Sequence, residues 1–376
     1  MASLELAAVR TLCRRALERC RLHERATEAI CDVIVAAERD RARSHGLFRL
    51  PGFCAALLHG KVDPGALPLV EDAAPAVVRV DGGGGFAPPA FAAGRPLLVA
   101  KARSGGVAMM AVRHQCHFSA LWYECEALAK DNIGCVAFVN SKAFVAHPGG
   151  SAERVYGTNP MAFGWPRAAG KPPLVFDQAS AAMARGEMQL LAARDGAMLP
   201  EGAALDRDGQ PTREPSAGLA GAQLPYGGHK GANICLMVEL LCGALAGGNF
   251  GFEAHASDPD WYGPTCNGEL LIAFDPARFG GAPAARGEAL LTKLEAMGGG
   301  VRLPGSRRLR ARGSAEAEAD ESQSQPPHDG EQQRQHERAS GPIEVEARLL
   351  EEIEHIIAGG MPWSQAYAKA EPRPRL

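Results

Sequence analysis

Asp81-Gly82-Gly83-Gly84-Gly85-Phe86-Ala87-Pro88-Pro89 is the stretch on which the fold turns. From Gly82 to Ala87 it formally satisfies the spacing of a dinucleotide-binding glycine turn, with alanine in the last place. Such a turn has to open a long helix inside a βαβ unit. Here two prolines follow at once and no such unit is visible around them. The stretch therefore reads as a short strand over 76–80 followed by a turn over 81–85, outside any Rossmann domain.

Upstream, apolar residues recur at helical spacing over 3–20 and 24–40, which predicts two amphipathic helices. Pro51 and Gly52 break the pattern before a helical segment over 53–58. Downstream, 107–112 and 135–140 read as strands with a helix over 121–129 between them, and 174–177 and 269–275 as further strands. The chain is dense in glycine and proline from about 145 to 232, which fits loops that carry function. The run 234–245 is almost wholly apolar and is expected to be a buried helix, interrupted only by Glu239. From Gly313 to Gly341 almost no large apolar side chain appears, so this segment is expected to be a disordered insertion. An amphipathic helix over 343–357 follows it.

With 376 residues the chain has room for two lobes. Its 40 basic and 43 acidic residues leave a formal charge of -3, so no nucleic-acid footprint is evident. No apolar leader or membrane-length run is seen, and a cytoplasmic protein without membrane contact is expected. The ten cysteines contain no C-x-x-C pair and most lie in apolar patterns, so they read as reduced core thiols.

The most chemically pointed run is Ser44-His45-Gly46-Leu47-Phe48-Arg49. A hydroxyl can orient an imidazole that passes protons near neutral pH, and a guanidinium four residues on can fork onto a carboxylate. The alternative is a helix end, with cations favouring the dipole and Gly46 as a left-handed cap. His114 and His117 follow a strand and could ligate a metal. With no acidic or thiolate partner at metal spacing nearby, hydrogen bonding is the preferred reading and no metal is expected. Gly157–Gly164 reads as a rigid loop presenting Thr158 and Asn159, or simply as a good turn. Arg185 and Glu187 flank Gly186, for function or for a surface salt bridge. His229-Lys230 after two glycines makes a reasonable anion site at a helix start. Arg302–Arg308 is a second cationic loop suited to phosphates.

The ordered set SHGLFRLP, HF-x-AL, YGTNPMAFG, FDQAS-x-x-x-ARGE, LPYGGHKG, MVELL-x-GAL and RLPGSRR resembles the malate/L-lactate dehydrogenase-type oxidoreductases, which bind nicotinamide without a Rossmann domain. The resemblance covers most of the chain. HFSALW, VAFVNS and HPGG are similar to the branch of Δ1-piperideine-2-carboxylate and Δ1-pyrroline-2-carboxylate reductases, as is an acid at the last place of ARGE. That acid is Glu187 here, where the branch more usually has aspartate and the malate and lactate branches lysine.

The resemblance implies an α/β (α+β) fold, with an NADPH-binding lobe built on a mostly antiparallel sheet and a helical substrate lobe. By its motifs the substrate lobe would span 1–115, completed by 342–376, and the NADPH lobe 116–310. It implies a cytoplasmic homodimer reducing small cyclic imine carboxylates of lysine degradation and proline metabolism, to pipecolate and proline. His45 would be the proton donor, with Ser44 and Glu187 orienting it. Arg49 would clamp the substrate carboxylate, and Thr158, Arg185 and Gly186 would line the substrate site. The cofactor would lie along His117, Phe118, Ser119, Ala120 and Leu121, along Asp177, Gln178 and Ala179, at His229 and Lys230, and along Arg302, Leu303, Pro304, Gly305, Ser306, Arg307 and Arg308. Two alternatives remain. One is a 2-hydroxyacid dehydrogenase of the same family acting on malate, lactate or ureidoglycolate. The other is a non-catalytic binding protein on the same scaffold, which the presence of Ser44, His45 and Arg49 disfavours. A metal-dependent hydrolase using His114 and His117 is more distant.

Overall fold

The computed structural model describes residues 2–117, 119–149, 152–168, 170–257, 266–316 and 342–362. The chain divides into two compact units, Met1–Gly65 with Leu291–Leu376, and Ala66–Leu290. The boundary falls at 65/66 rather than near 115, because strand pairing draws residues 69–116 into the second unit's sheet. It falls at 290/291 rather than 310, so Arg302–Arg308 belongs with the N-terminal helices.

In the first unit, α1 (Leu6–Arg19) buries Leu6, Val9, Cys13, Ala16 and Leu17 along one stripe. The next helix, α2 (Glu24–Arg39), opens at His23, whose Nδ1 accepts the Arg25 N–H at 3.2 Å. A helix Leu50–Leu58 starts before the point read from sequence. Pro51 sits in its first turn, where a missing N–H breaks no helical bond. The segment 343–357 is not one helix. Ile343–Val345 is a strand paired antiparallel with Ala2–Leu4, and the helix is Ala347–Ile357. Alternating β-branched Ile343 and Val345 favour that extended pairing. The helix Ser306–Glu316 brings Arg312 to buried Asp40, with Nε 2.7 Å from Oδ1. Residues 313–316, read as the start of the insertion, belong to this helix, and 317–341 lie outside the described residues.

The second unit is built on a seven-stranded sheet. Its strands in chain order are β1 (Leu69–Ala74), β2 (Val77–Phe86), β3 (Val107–Cys116) and β4 (Gly134–Val139). After these come β5 (Met161–Trp165), β6 (Leu174–Gln178) and β7 (Asn267–Phe274). The spatial order is β1-β2-β3-β7-β4-β5-β6, and every pair but β2/β3 is antiparallel. The glycine run is strand, not turn. Gly83 and Gly84, with φ of 62° and 77°, form a bulge where pairing shifts between Asp81 and Gly85. Pro88 and Pro89 fall in the first turn of α3 (Ala87–Gly105), which leads to β3 parallel with β2. One βαβ unit does stand here, near one edge of an otherwise antiparallel sheet.

Helix α4 (Leu121–Lys130) packs on β4 and β5. Helices α5 (Arg185–Ala192) and α6 (His229–Glu239) follow, and α6 continues as a π-helical turn, Leu240–Leu245. One face of that run packs Val238 and Cys242 against Phe138. The other face does not meet the expectation of burial, since Leu240 is 53% and Leu245 63% exposed. A helix apolar all round presents more surface than one sheet can cover. All ten cysteines are free thiols. Among the described residues no helix is long and apolar enough to cross a membrane.

Gly164 marks how closely α4 approaches β5. A Cβ there would lie 2.6 Å from the backbone oxygen of Cys125. Gly164→Ala should therefore lower stability by about 1–3 kcal/mol, read as a lower urea midpoint. An unchanged midpoint would mean the two elements have room to separate.

Candidate active site

In the first unit, α2 ends in two short 3₁₀ turns, Arg43–His45 and Leu47–Arg49. Ser44 Oγ lies 3.1 Å from His45 Nδ1. Arg49 Nε donates to the Ser44 carbonyl at 2.7 Å, and its guanidinium stacks over Phe48 at 5.6 Å. The three residues singled out in sequence are thus one hydrogen-bonded cluster. Gly46 is no left-handed cap, since its φ is −89°. Glycine is needed there because a Cβ would run into the Glu38 carboxylate.

Glu38 was not found by reading the sequence. Its Oε1 accepts the Leu47 N–H at 2.6 Å and so fixes the second 3₁₀ turn. Burial pushes its carboxyl above the usual range, opposed by that hydrogen bond and by Arg43. It hides among the charges of Glu38-Arg39-Asp40-Arg41, where nothing local marks it. Arg302–Arg308 also belongs to this unit. Gly305 (φ 80°) precedes the helix Ser306–Glu316, with Arg307 exposed in its first turn.

The remaining candidates lie in the second unit. Thr158 N–H donates to Ser141 Oγ at 3.0 Å, and the two hydroxyls are 3.4 Å apart. Arg185 opens α5, stacks over Phe144 at 4.0 Å and donates from Nη2 to the Leu219 carbonyl at 3.4 Å. Burial, and secondarily Arg154, pull its guanidinium down to about 9, which leaves it charged at neutral pH. Gly186 is buried and Glu187 exposed in the first turn of α5. Asp177 Oδ2 accepts the Trp122 N–H at 3.1 Å, so it holds the first turn of α4, which begins at Leu121 after Ser119 and Ala120. Gln178 is exposed and Ala179 packs beside Val145 and Tyr156, while Phe118 lies outside the described residues.

His114 and His117 part company. His114 Nδ1 is 3.0 Å from Asp81 Oδ2, whereas His117 Nε2 is 3.4 Å from Glu124 Oε1 in the interior. Burial lowers the His117 pKa and raises Glu124 to about 7, so this contact joins groups that both lean neutral. Burial first, and the Glu124 charge second, push Glu269 well above the carboxylate range.

A dinucleotide cofactor needs somewhere to set its phosphates, and the start of α6 fits them. Gly227 and Gly228 have φ of 56° and 62°, and Gly228, at the N-cap of α6, offers no side chain to its first N–H groups. His229 and Lys230 are exposed in that first turn.

A family model described as malate/L-lactate dehydrogenase matches residues 4–354. The chain belongs to the malate/L-lactate dehydrogenase family. Within that family it is 47% identical over 292 residues to the Delta(1)-pyrroline-2-carboxylate/Delta(1)-piperideine-2-carboxylate reductase of Pseudomonas syringae pv. tomato, covering 77% of this chain and 84% of that one. The protein of the same name from Pseudomonas aeruginosa is 46% identical over 316 residues, 83% of this chain and 93% of that one. The crystal structure of delta1-piperideine-2-carboxylate reductase from P. syringae superposes with a TM-score of 0.83 at 40% identity, covering 95% of this chain and all of that one.

Removing the Glu38 carboxylate should leave the Leu47 N–H buried without an acceptor. Glu38→Ala is expected to cost about 1–3 kcal/mol in urea unfolding. Its kcat should fall as well, because the Ser44–Arg49 turns lose their anchor. Wild-type stability in this variant would show that the turns hold themselves.

Proposed function

We propose that this chain is an NADPH-dependent reductase of cyclic imine carboxylates, converting Δ1-piperideine-2-carboxylate to pipecolate and Δ1-pyrroline-2-carboxylate to proline. The observation that carries this reading is the Ser44–His45 contact at 3.1 Å, with Arg49 fastened to the same turn. The names of the relatives support the substrate class.

Reducing a C=N bond takes a hydride at carbon and a proton at nitrogen. NADPH, when bound, supplies the hydride. His45 donates the proton to the ring nitrogen, and because Ser44 engages Nδ1, Nε2 is the nitrogen that meets substrate. Arg49 spends Nε on the Ser44 carbonyl, which turns its two Nη groups to the substrate carboxylate as a fork. In the second unit, Thr158, Arg185 and Gly186 are the residues assigned to the substrate, and Glu187 is the acid in their helix's first turn. His117–Leu121 and Asp177–Ala179 serve the cofactor, with His229 and Lys230 as cations for its phosphates in the second unit, and Arg302–Arg308 is the cationic loop of the first unit. The free thiols suit a cytoplasmic enzyme.

The decisive assay mixes purified protein and NADPH with both cyclic imines and a panel of 2-oxo acids, following loss of the reduced cofactor. Turnover on the imines is expected, whereas turnover confined to 2-oxo acids would make the chain a hydroxyacid dehydrogenase. His45→Ala should lower kcat by ~10²–10⁴ with NADPH affinity retained. Arg49→Lys should raise KM for the imines, since a point charge replaces a fork.

The same reading includes a homodimer. An open apolar groove lined by Asn233, Leu236, Met237, Leu240 and Leu241 supports it. Light scattering should give twice the chain mass, and Leu240→Glu should give the single-chain mass. A wild-type monomer would remove the dimer.

A further inference from the structure

We propose that His117, Glu124 and Glu269 form a binding site for one divalent transition-metal ion, with Zn²⁺ the best chemical match. The three residues come from the segment after β3, from α4 and from β7. Each offers one ligand atom, and the three atoms all lie within 4.8 Å of one another. His117 Nε2 and Glu124 Oε1 are 3.4 Å apart, without the angle of a hydrogen bond. Two ligands on a tetrahedral zinc ion at about 2.1 Å stand about 3.4 Å apart, so their spacing is that of atoms sharing an ion.

What the cluster lacks points the same way. His117 Nε2, both oxygens of Glu124 and Glu269 Oε1 are buried atoms that no other described N–H or O–H reaches, and the two carboxyls lie within hydrogen-bond reach of each other. Buried polar atoms are rarely left so, and a single proton shared by the two carboxyls still leaves His117 Nε2 without a partner. Among the described residues neither carboxylate has a lysine or arginine partner. A 2+ ion would replace that proton, balance both carboxylates and bond one atom of each of the three residues. Glu269 is already posed for it, since Gln115 Nε2 donates to Oε2 at 2.8 Å and leaves Oε1 on the cluster side. That is the outer hydrogen bond a ligating carboxylate usually has.

Glu124 and Glu269 are buried and His117 is partly buried, at the start of the stretch assigned to the cofactor, so the ion's role is to lock β3, α4 and β7 together. This inference stands apart from the proposed substrate. It also reverses the sequence argument against metal, because the acidic partners that local spacing lacks arrive from α4 and β7.

The rival for the same observations is a proton shared between the two carboxyls. The test uses full-length protein without a histidine tag, incubated with Zn²⁺, dialysed and assayed for metal by mass spectrometry. About one zinc per chain is expected, with a lower Tm after chelation and visible d–d bands on Co²⁺ replacement. Glu124→Gln and Glu269→Gln should abolish the stoichiometric zinc and the Co²⁺ bands. Gln115→Leu should weaken zinc affinity about 10–100-fold.

A wild-type chain that retains no zinc and shows no Tm response to zinc or chelator overturns the proposal. So does zinc that survives Glu124→Gln, which would place the metal on the cysteines. In the shared-proton case Glu124→Gln keeps a donor in place, and Tm holds with or without metal. If the glutamine variants do not fold, the wild-type metal content and Co²⁺ spectrum still decide.

Discussion

Four N–H groups converge on the carboxylate of Glu239, which sits in the apolar run of α6 and is 4% exposed. Oε2 takes Asn140 Nδ2 at 2.8 Å and the Gly251 N–H at 3.0 Å, while Oε1 takes Asn159 Nδ2 at 2.9 Å and the Gly157 N–H at 3.3 Å. A buried carboxylate is tolerable only when donors surround it, and each of these is a charge-assisted bond. Its partners are the end of β4, the loop on both sides of Thr158 and the start of the helix Gly251–Ser257. The backbone that presents Thr158 is therefore held from inside by an acid that never meets solvent. Asn159, at φ 41°, is bent so that its amide reaches both Glu239 and the Cys235 carbonyl.

The sheet was largely legible because period and polarity agree in it. The strands over 107–112, 135–140, 174–177 and 269–275 were all marked by apolar alternation, and pairing extended or shifted them by a few residues. The glycine run was misread because prolines signal a stop only from a helix interior. In a first turn they begin one. The strand Ile343–Val345 was lost for another reason. Three residues carry too little period to be told from a helix start, and their partner lies at the other end of the chain.

For the candidate site, what the sequence displays is the donor side of each interaction. Ser44, His45 and Arg49 are close neighbours in the chain, and their mutual hydrogen bonds follow from that closeness. Glu38, Glu239 and Glu269 act across turns and strands, so no spacing rule reveals what they face. Only Glu239 left a trace, as a lone acid in an apolar helix, where a charge persists only if something inside needs it.

The strand pairing of Ala2–Leu4 with Ile343–Val345 sets an order of assembly. The second unit is continuous, and all its strands are available once residue 290 has been synthesised. The first unit is not. Helix α1, with its stripe of Leu6, Val9, Cys13 and Leu17, also packs against the helix Ala347–Ile357, which is made only after the whole second unit. Domains usually fold as units from the N-terminus onward. Here the N-terminal helices can pack on one another, but the part of α1 that meets the helix Ala347–Ile357 stays uncovered while the middle of the chain folds. A synthesis pause just before residue 343 would leave that face of α1 and the strand Ala2–Leu4 without their partners, with every strand of the second unit's sheet already made.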